Sequence, residues 1–333
     1  MVILHRDNSV YQIPDDLNKQ TTLLNKFYYL KFEHLLKSKN IPYKLVDYEN
    51  YDGDYFVGRF AHNLDDKELH SKCFDNLYDF YGENMWPNKN AYYYYDDKVR
   101  QYELLEKYGI HVPSVICNDL DELLKNVTLG SVIKSTYGAG SESTFYIWEK
   151  EHLDQIEEYI SECYNSENFF PCQIQDYIKD EYEYQIFISD NELHGFKIRL
   201  NKEYESPLSF PHEKEFSGQH WVYHGLDLYD GHESDLSVLK EGDLSIDFIE
   251  KLCDIKKELN TPNIKFDVIG NRVLEFSYIY GANLPTITSR TYQYFDIDEK
   301  VYKDRVISIN EFANKQPNCV LKHLGIIEWN ICL

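Results

Sequence analysis

The stretch "IKFDVIGNRVLEFS", Ile264 to Ser277, constrains the fold more than any other part of the chain. Phe266, Val268, Leu274 and Phe276 are apolar, while Asp267, Glu275 and Ser277 hold alternate positions. Side chains along a strand point to opposite faces in turn. The stretch therefore reads as a hairpin with one buried face and one face carrying carboxylates. A three-residue loop, Gly270 to Arg272, sets Asp267 opposite Glu275. A two-residue Gly-Asn turn would instead send them to opposite faces. Two carboxylates brought together need a cation, and hard oxygen ligands suit Mg²⁺ or Mn²⁺ shared with substrate phosphates. The plain alternative is a solvated polar face.

The strands before it carry charge in the same alternating way. In "YEYQIFI", Tyr182, Tyr184, Ile186 and Ile188 share one face and leave Glu183 and Gln185 on the other. Glu183 is either an acceptor for a ribose hydroxyl or an exposed strand glutamate. In "ELHGFKIRL", Phe196, Ile198 and Leu200 alternate with Gly195, Lys197 and Arg199, which puts two cations on one face. Like charges so placed repel unless an anion lies between them; carboxylates of this chain would serve as well as a ligand. In "SVIKSTYGAGSESTFYI", Lys134 ends a short apolar run and is followed by a glycine- and serine-rich loop and a second strand. Glycines let backbone N–H groups approach oxygens while the ammonium supplies charge. The lysine precedes the glycines and a strand follows them, so this is not a Walker P-loop. The alternative is an edge-strand lysine beside a hairpin turn.

Upstream, residues 1 to about 90 read as a small α/β unit. A helix is expected over "KFYYLKFEHLLKSKNI", with Tyr28, Leu30, Phe32, Leu35 and Leu36 at helical spacing, and strands over "PYKLVDY" and "DYFVGRF". "NMWPNKNAYYYYDDK" is the expected boundary, with Pro87 interrupting any periodicity. "DDKVRQYELLEKYGIHVP" follows as a helix capped by Asp96 or Asp97 and ended by Gly109 and Pro113. One amphipathic helix is expected over "KEHLDQIEEYISECY", a strand over "CQIQDYI" and a helix over "IDFIEKLCDIKKEL". Asn201 to Leu244 has no readable pattern.

Charge narrows the partners. Lys and Arg number 34 against 57 Asp and Glu, a net charge of -23. Nucleic acid and anionic membrane surfaces are therefore excluded as main partners, since affinity for them comes from Lys and Arg. The seven cysteines are odd in number and lack CxxC spacing, so they read as reduced thiols with no zinc site. No stretch of 18 or so apolar residues occurs, and the expected location is cytoplasmic.

Taken in order, these elements resemble the ATP-grasp superfamily over roughly residues 85 to 285. The resemblance lies in "WPNKNAYYYYDDK" with Lys98 ahead of a helix, "VIK" at Lys134 before the glycine/serine loop, "IQDYI", Glu183, the Lys197/Arg199 strand, and "FDVI" with "VLEFS". It implies an α/β (α+β) chain in which two α+β subdomains grip ATP behind a small doubly wound α/β domain. The implied division is 1–88 for the first domain and 89–333 for the ATP-grasp domain, split into a lid-like part at about 110–172 and a metal-binding part at about 173–333.

By the same resemblance Lys98 and Lys134 hold the ATP phosphates under a loop containing Gly138, Gly140 and Ser141. Gln175, Asp176, Tyr177 and Ile178 meet the adenine, and Glu183 the ribose. Lys197 and Arg199 face the γ-phosphate or the acceptor carboxylate as the catalytic pair. Asp267, Glu275 and Ser277 hold Mg²⁺ or Mn²⁺, and Arg59 reaches the cleft from the first domain. Two positions depart from the family pattern: Gln175 where an acidic residue is frequent, and Ser277 where asparagine is usual. The second departure weakens a second metal site and keeps a non-catalytic ATP-binding module open as a reading.

The activity implied is that of a carboxylate–amine ligase. It passes the γ-phosphate to a small-molecule carboxylate acceptor, and an amine donor then displaces phosphate. Similarity to ATP-grasp proteins linked to bacterial surface-polysaccharide synthesis points to an amide on a sugar acid or amino acid, with a homodimer left open as the assembly. A small-molecule kinase is the rival enzyme class.

Overall fold

The computed structural model describes residues 1–5, 32–46, 52–58, 67–95, 97–137, 144–147, 149–162, 169–178, 180, 182–199, 236–278 and 315–328. Arg59 and the loop residues Gly138, Gly140 and Ser141 lie outside them, as do Tyr28 and Leu30.

Three sheets organise the chain. The first joins β1 (Val2–His5), β2 (Tyr43–Val46), β3 (Tyr55–Val57) and β4 (Met85–Trp86), all parallel, in the order β2-β1-β3-β4. β1 is buried on both faces, which is why its residues are consecutively apolar. Val2 and Leu4 pack with Phe32 and Leu36 of the helical stretch 32–38, while Ile3 packs with Phe74 and Leu77 of the helix Lys67–Tyr81. Helices on both faces of a parallel sheet make the unit doubly wound, as the alternation of elements implies. Its core does not stop at residue 88: Tyr278 and Val320, Leu321 and Leu324 at the C-terminal helix Lys315–His323 belong to the same cluster as Val2 and Trp86.

The expected boundary segment is itself partly helical. A helix runs Lys89–Tyr94, because Asn88 accepts from the Ala91 N–H at 2.7 Å and caps it. Pro87 stands before the cap, where it interrupts nothing. The Asn88 amide also donates to the carbonyls of Leu259 and Asn260, pinning this helix to a distant part of the chain.

The second sheet is antiparallel, in the order β5-β8-β6-β7, with β5 Ser114–Cys117, β6 Ser131–Ser135, β7 Thr144–Ile147 and β8 Cys172–Asp176. One face buries Cys117, Ile133, Phe145, Cys172 and Ile174 against helices. The expected single helix after β7 is two, Lys150–Asp154 and Ile156–Glu162, broken at Gln155. β8 belongs to this sheet through its pairing with β6.

The third sheet, in the order β11-β10-β9-β12-β13, joins β9 (Tyr182–Ser189), β10 (Glu192–Arg199), β11 (Leu236–Val238), β12 (Asn263–Ile269) and β13 (Arg272–Ser277), all antiparallel. Its apolar face carries Tyr184, Ile186, Ile188, Phe266, Val268 and Phe276. Those residues meet Leu104 and Leu105 of the helix Lys98–Lys107 and Phe248, Leu252 and Ile255 of the helix Ile246–Glu258. Asp97, rather than Asp96, caps the first of these helices by accepting from the Arg100 N–H. Among the described residues no helix is long and apolar enough to cross a membrane.

Candidate functional site

The β12–β13 hairpin settles the carboxylate question by an unexpected route. Its turn is the two-residue Gly270-Asn271, with φ of +54° and +60°, the pair of positive values that a type I′ turn requires. Two-residue closure pairs Ile269 with Arg272 and Val268 with Val273. Continued without interruption, that register would set Glu275 beside Phe266 in the core and turn Phe276 to the polar face. A bulge between Asp267 and Val268 prevents it: Leu274 drops out of the pairing, and Asp267 then lies opposite Glu275, Phe266 opposite Phe276, and Lys265 opposite Ser277.

The energetics favour the bulge. Losing one ladder hydrogen bond costs about 1 kcal/mol, against about 2–3 kcal/mol for each phenylalanine side chain taken out of water. Three-residue closure is therefore corrected to a two-residue turn plus a bulge. Val273, 1% exposed, takes the core place expected for Leu274.

On the polar face Asp267 is 6% exposed, and its Oδ2 accepts from the Lys265 ammonium at 2.8 Å. Its other oxygen, Oδ1, is buried with no hydrogen-bond partner among the described residues. A buried carboxylate oxygen left without a donor is costly, and it is a suitable ligand atom for a hard cation. Lys265 sits where burial works against its charge, but the Asp267 carboxylate, with Glu275 and Glu183, more than offsets this and raises its pKa. Burial pushes Asp267 upward; Lys265 opposes the rise and the charge of Glu275 adds to it. Among the described residues no three His, Cys, Asp or Glu side chains form a closed metal cage. Asp267 and Glu275 thus fit an open site completed by ligand oxygens, as Mg²⁺ commonly uses.

Glu183 joins this cluster from β9. Gln185 pairs with Asp267 and Glu183 with Ile269, so Glu183 and Asp267 share a face. Burial lifts the Glu183 carboxyl from 4.5 to about 7; the charge of Asp267 adds to the rise, and Lys265 and Lys134 oppose it.

Lys134 faces the cluster from the second sheet. It pairs with Gln173 and Thr144, and this parity puts it on the face opposite the buried Ile133 and Ile174. Burial lowers the Lys134 pKa; Glu275, Glu183 and Asp267 act against this, and Lys98 acts with it. Four residues singled out from the sequence, Lys98, Glu183, Asp267 and Glu275, therefore lie within electrostatic reach of Lys134.

Of the β8 group, Gln175 is buried and donates to the Ser114 hydroxyl at 3.1 Å, as Gln173 does at 2.8 Å. Asp176 is exposed, and Ile178 follows the strand, half-buried. The Tyr177 N–H is used by the Gly130 carbonyl at 2.9 Å, while its ring is 40% exposed. Tyr177 and Tyr146 both have pKa values raised by burial and further raised by Glu183, so both lie near that carboxyl, with their ring centres 6.3 Å apart. Ser277 is half-buried opposite Lys265.

The backbones of Lys197 and Arg199 pair with those of Tyr184 and Tyr182, in a register set by the tight Asp190-Asn191 turn between β9 and β10, with Asp190 at φ +52°; their side chains lie outside the described residues. The sequence reasoning missed Lys265, although it shares strand parity with Asp267, and it missed Tyr146 and Gln173.

The Glu183 shift predicts a pH dependence. A carboxyl that titrates near 7 folded and near 4.5 unfolded binds more protons when folded between those values, so stability falls as pH rises across that window. The effect is on the order of 3 kcal/mol at full extent. The melting temperature of the metal-free protein is expected to fall more steeply from pH 5 to pH 7.5 than that of Glu183→Gln. Parallel curves for the two proteins would count against the buried, protonated Glu183.

No protein-family model matches the chain, and no curated protein matches its sequence. Solved structures do match. A RiPP-associated ATP-grasp ligase from Chryseobacterium gregarium, in complex with ADP and a leader and core peptide, is 12% identical with a TM-score of 0.53, covering 95% of each chain. The D-alanine–D-alanine ligase of Bacillus anthracis, complexed with ATP, is 14% identical with a TM-score of 0.51, covering 95% of this chain and 97% of its own. The ATP-grasp ligase PsnB, complexed with a phosphomimetic variant of its minimal precursor, Mg and ADP, is 12% identical with a TM-score of 0.51, covering 97% and 98%. The chain has the ATP-grasp fold over nearly its whole length.

Proposed function

We propose that this chain is an ATP-dependent carboxylate–amine ligase using Mg²⁺. The observation that carries the reading is the convergence of Lys134, Lys265, Asp267, Glu275 and Glu183 across one cleft, with the buried Asp267 Oδ1 left without a donor. Three ATP-grasp ligases of the same fold, two solved with ADP and one with ATP, support it. ATP would lie between the second and third sheets, the former acting as the lid-like part and the latter as the metal-binding part.

In this reading Lys98 and Lys134 bind the phosphates as point charges, and desolvation strengthens the attraction. Glu183 gives up its proton as a nucleotide and its cation enter, and then accepts from a ribose hydroxyl. Asp267 and Glu275 would hold Mg²⁺, with Ser277 beside them; when bound, the cation neutralises charge on the phosphate oxygens. Lys265, which shares ladder parity with Asp267, is a further cation we assign to the phosphoryl group in transfer, beside Lys197 and Arg199. The acceptor carboxylate attacks the γ-phosphorus and ADP leaves. The amine then attacks the acyl carbon, loses a proton, and inorganic phosphate departs. Catalysis is positioning and charge neutralisation, with no protein nucleophile.

The similarity to proteins of surface-polysaccharide synthesis puts sugar acids and amino acids first among acceptors, and the peptide-bound fold relatives put short peptides next. The test is a panel of such acids with ATP, Mg²⁺ and hydroxylamine. The expected product is a hydroxamate formed with ADP release. A stable phosphorylated alcohol with no hydroxamate would make the protein a kinase, and ATP binding without turnover on any acid would make it a binding module.

A further inference from the structure

The helix that begins at Lys98 is tied at two points to the strands that carry the site. At its start the Lys98 N–H donates to the Thr136 carbonyl at 3.0 Å, and the Tyr137 hydroxyl donates to Asp97 at 3.2 Å. Both contacts fasten it to the chain just after Lys134. One turn later comes Gln101, 3% exposed. Its Nε2 donates to the carbonyls of Tyr94 at 2.8 Å and Phe276 at 2.9 Å, and its Oε1 accepts from the Phe276 N–H at 3.0 Å.

Phe276 lies between Glu275 and Ser277 on β13, the outer strand of the third sheet. The Gln101 amide satisfies both backbone groups of one residue on that outer edge, as another strand would. Few side chains can do this. Asparagine is too short from the same backbone, glutamate would set an acceptor against two carbonyls, and lysine cannot accept from the N–H.

We infer that Gln101 is a positioning residue. It registers β13, and with it Glu275 and Ser277, against the helix whose first residue is Lys98. The start of β13 is held separately, by the Val273 N–H donating to the Ile110 carbonyl at 2.8 Å, so Gln101 sets the placement of the Glu275–Ser277 end relative to the phosphate-binding lysines. The inference rests on the nucleotide and Mg²⁺ reading of the site. It adds that the two halves of the site are spaced by a hydrogen-bond pair contacting neither ligand.

The test measures ADP affinity with and without Mg²⁺ in the full-length protein. The wild type is expected to bind ADP more tightly with Mg²⁺. Gln101→Met, similar in size but lacking the amide, is expected to lose about 10-fold or more of that enhancement, as supporting residues around metal sites do. Its Mg²⁺-free ADP affinity should stay within about 2-fold, because loss of the amide alone leaves Lys98 and Lys134 in place. Leu104→Ala, a core truncation on the same helix, serves as the stability control: it lowers the melting temperature and keeps the enhancement.

If Gln101→Met is not recovered folded, Gln101→Glu, which keeps an acceptor for the Phe276 N–H, is read in the same assay and should also lose the enhancement. Full enhancement in either Gln101 variant overturns the inference, as does an equal loss in Leu104→Ala. A wild type that shows no Mg²⁺ enhancement at all overturns instead the functional reading beneath it.

Discussion

Replacing Lys134 with methionine is expected to weaken ATP binding by about 100-fold and, at the same time, to raise the melting temperature of the ligand-free protein. The two effects share one cause. The Lys134 ammonium stands in a desolvated position where burial lowers its pKa, and three nearby carboxylates only partly compensate. Holding a charge there costs folding free energy, because the pKa stays lowered even with those carboxylates beside it. Methionine keeps the packing of the aliphatic stem, so little cavity is left. The same desolvation makes the ammonium effective against a phosphate oxygen, where a lost charged partner costs about 2–5 kcal/mol. Calorimetric ATP binding and thermal melting on one preparation check both halves. Unchanged ATP affinity would return Lys134 to the role of a strand lysine beside a turn, and a lowered melting temperature would show that it stabilises the folded chain.

Much of this arrangement was legible in the sequence, because strand parity is a local rule. The alternation in "YEYQIFI" correctly separated Glu183 and Gln185 from the tyrosines and isoleucines, and the apolar set of Phe266, Val268 and Phe276 named the buried face of the hairpin. The failures come where parity meets a connection. The Gly270-Asn271 turn alone argues for divergent carboxylates, and only the bulge at Leu274 restores the pairing. No local propensity marks Leu274 as the residue to be expelled; the burial of Phe276 and the exclusion of Glu275 from the core, both tertiary effects, select it.

The register of the Lys197/Arg199 strand depends on the β9–β10 turn, which the alternation of residues along one strand does not give. Gln101 was invisible for another reason: its partners, the backbone groups of Phe276, lie 175 residues away, and a buried glutamine on a helix carries no pattern of its own. The helix Lys89–Tyr94 was hidden by its proline, which stands before the cap.

Asp267→Asn is expected to lower ADP-forming turnover by at least about 100-fold, the upper range for removing a group that orients or holds a catalytic metal, while leaving the fold intact. Its amide oxygen can take the place of Oδ2 and keep the Lys265 contact, which leaves the NH₂ where Oδ1 now lies. A donor then points at the position where a cation needs an acceptor, so the Mg²⁺ enhancement of ADP binding should disappear as well. Folding should change little. Lys265 loses a full charge partner but keeps the attraction of Glu275 and Glu183, and the repulsion among the carboxylates is relieved.

That relief has its own readout. After burial, the charge of Asp267 is the largest influence holding the Glu183 carboxyl near 7. Neutralising Asp267 should move Glu183 downward and flatten the fall in melting temperature between pH 5 and pH 7.5. Turnover, Mg²⁺ enhancement and pH slope are three measurements of one substitution. Turnover within tenfold of wild type, or an undiminished Mg²⁺ enhancement, would remove Asp267 from the metal site. An unchanged pH slope would separate Glu183 from it, leaving burial and the charge of Glu275 to hold a proton on Glu183 at neutral pH.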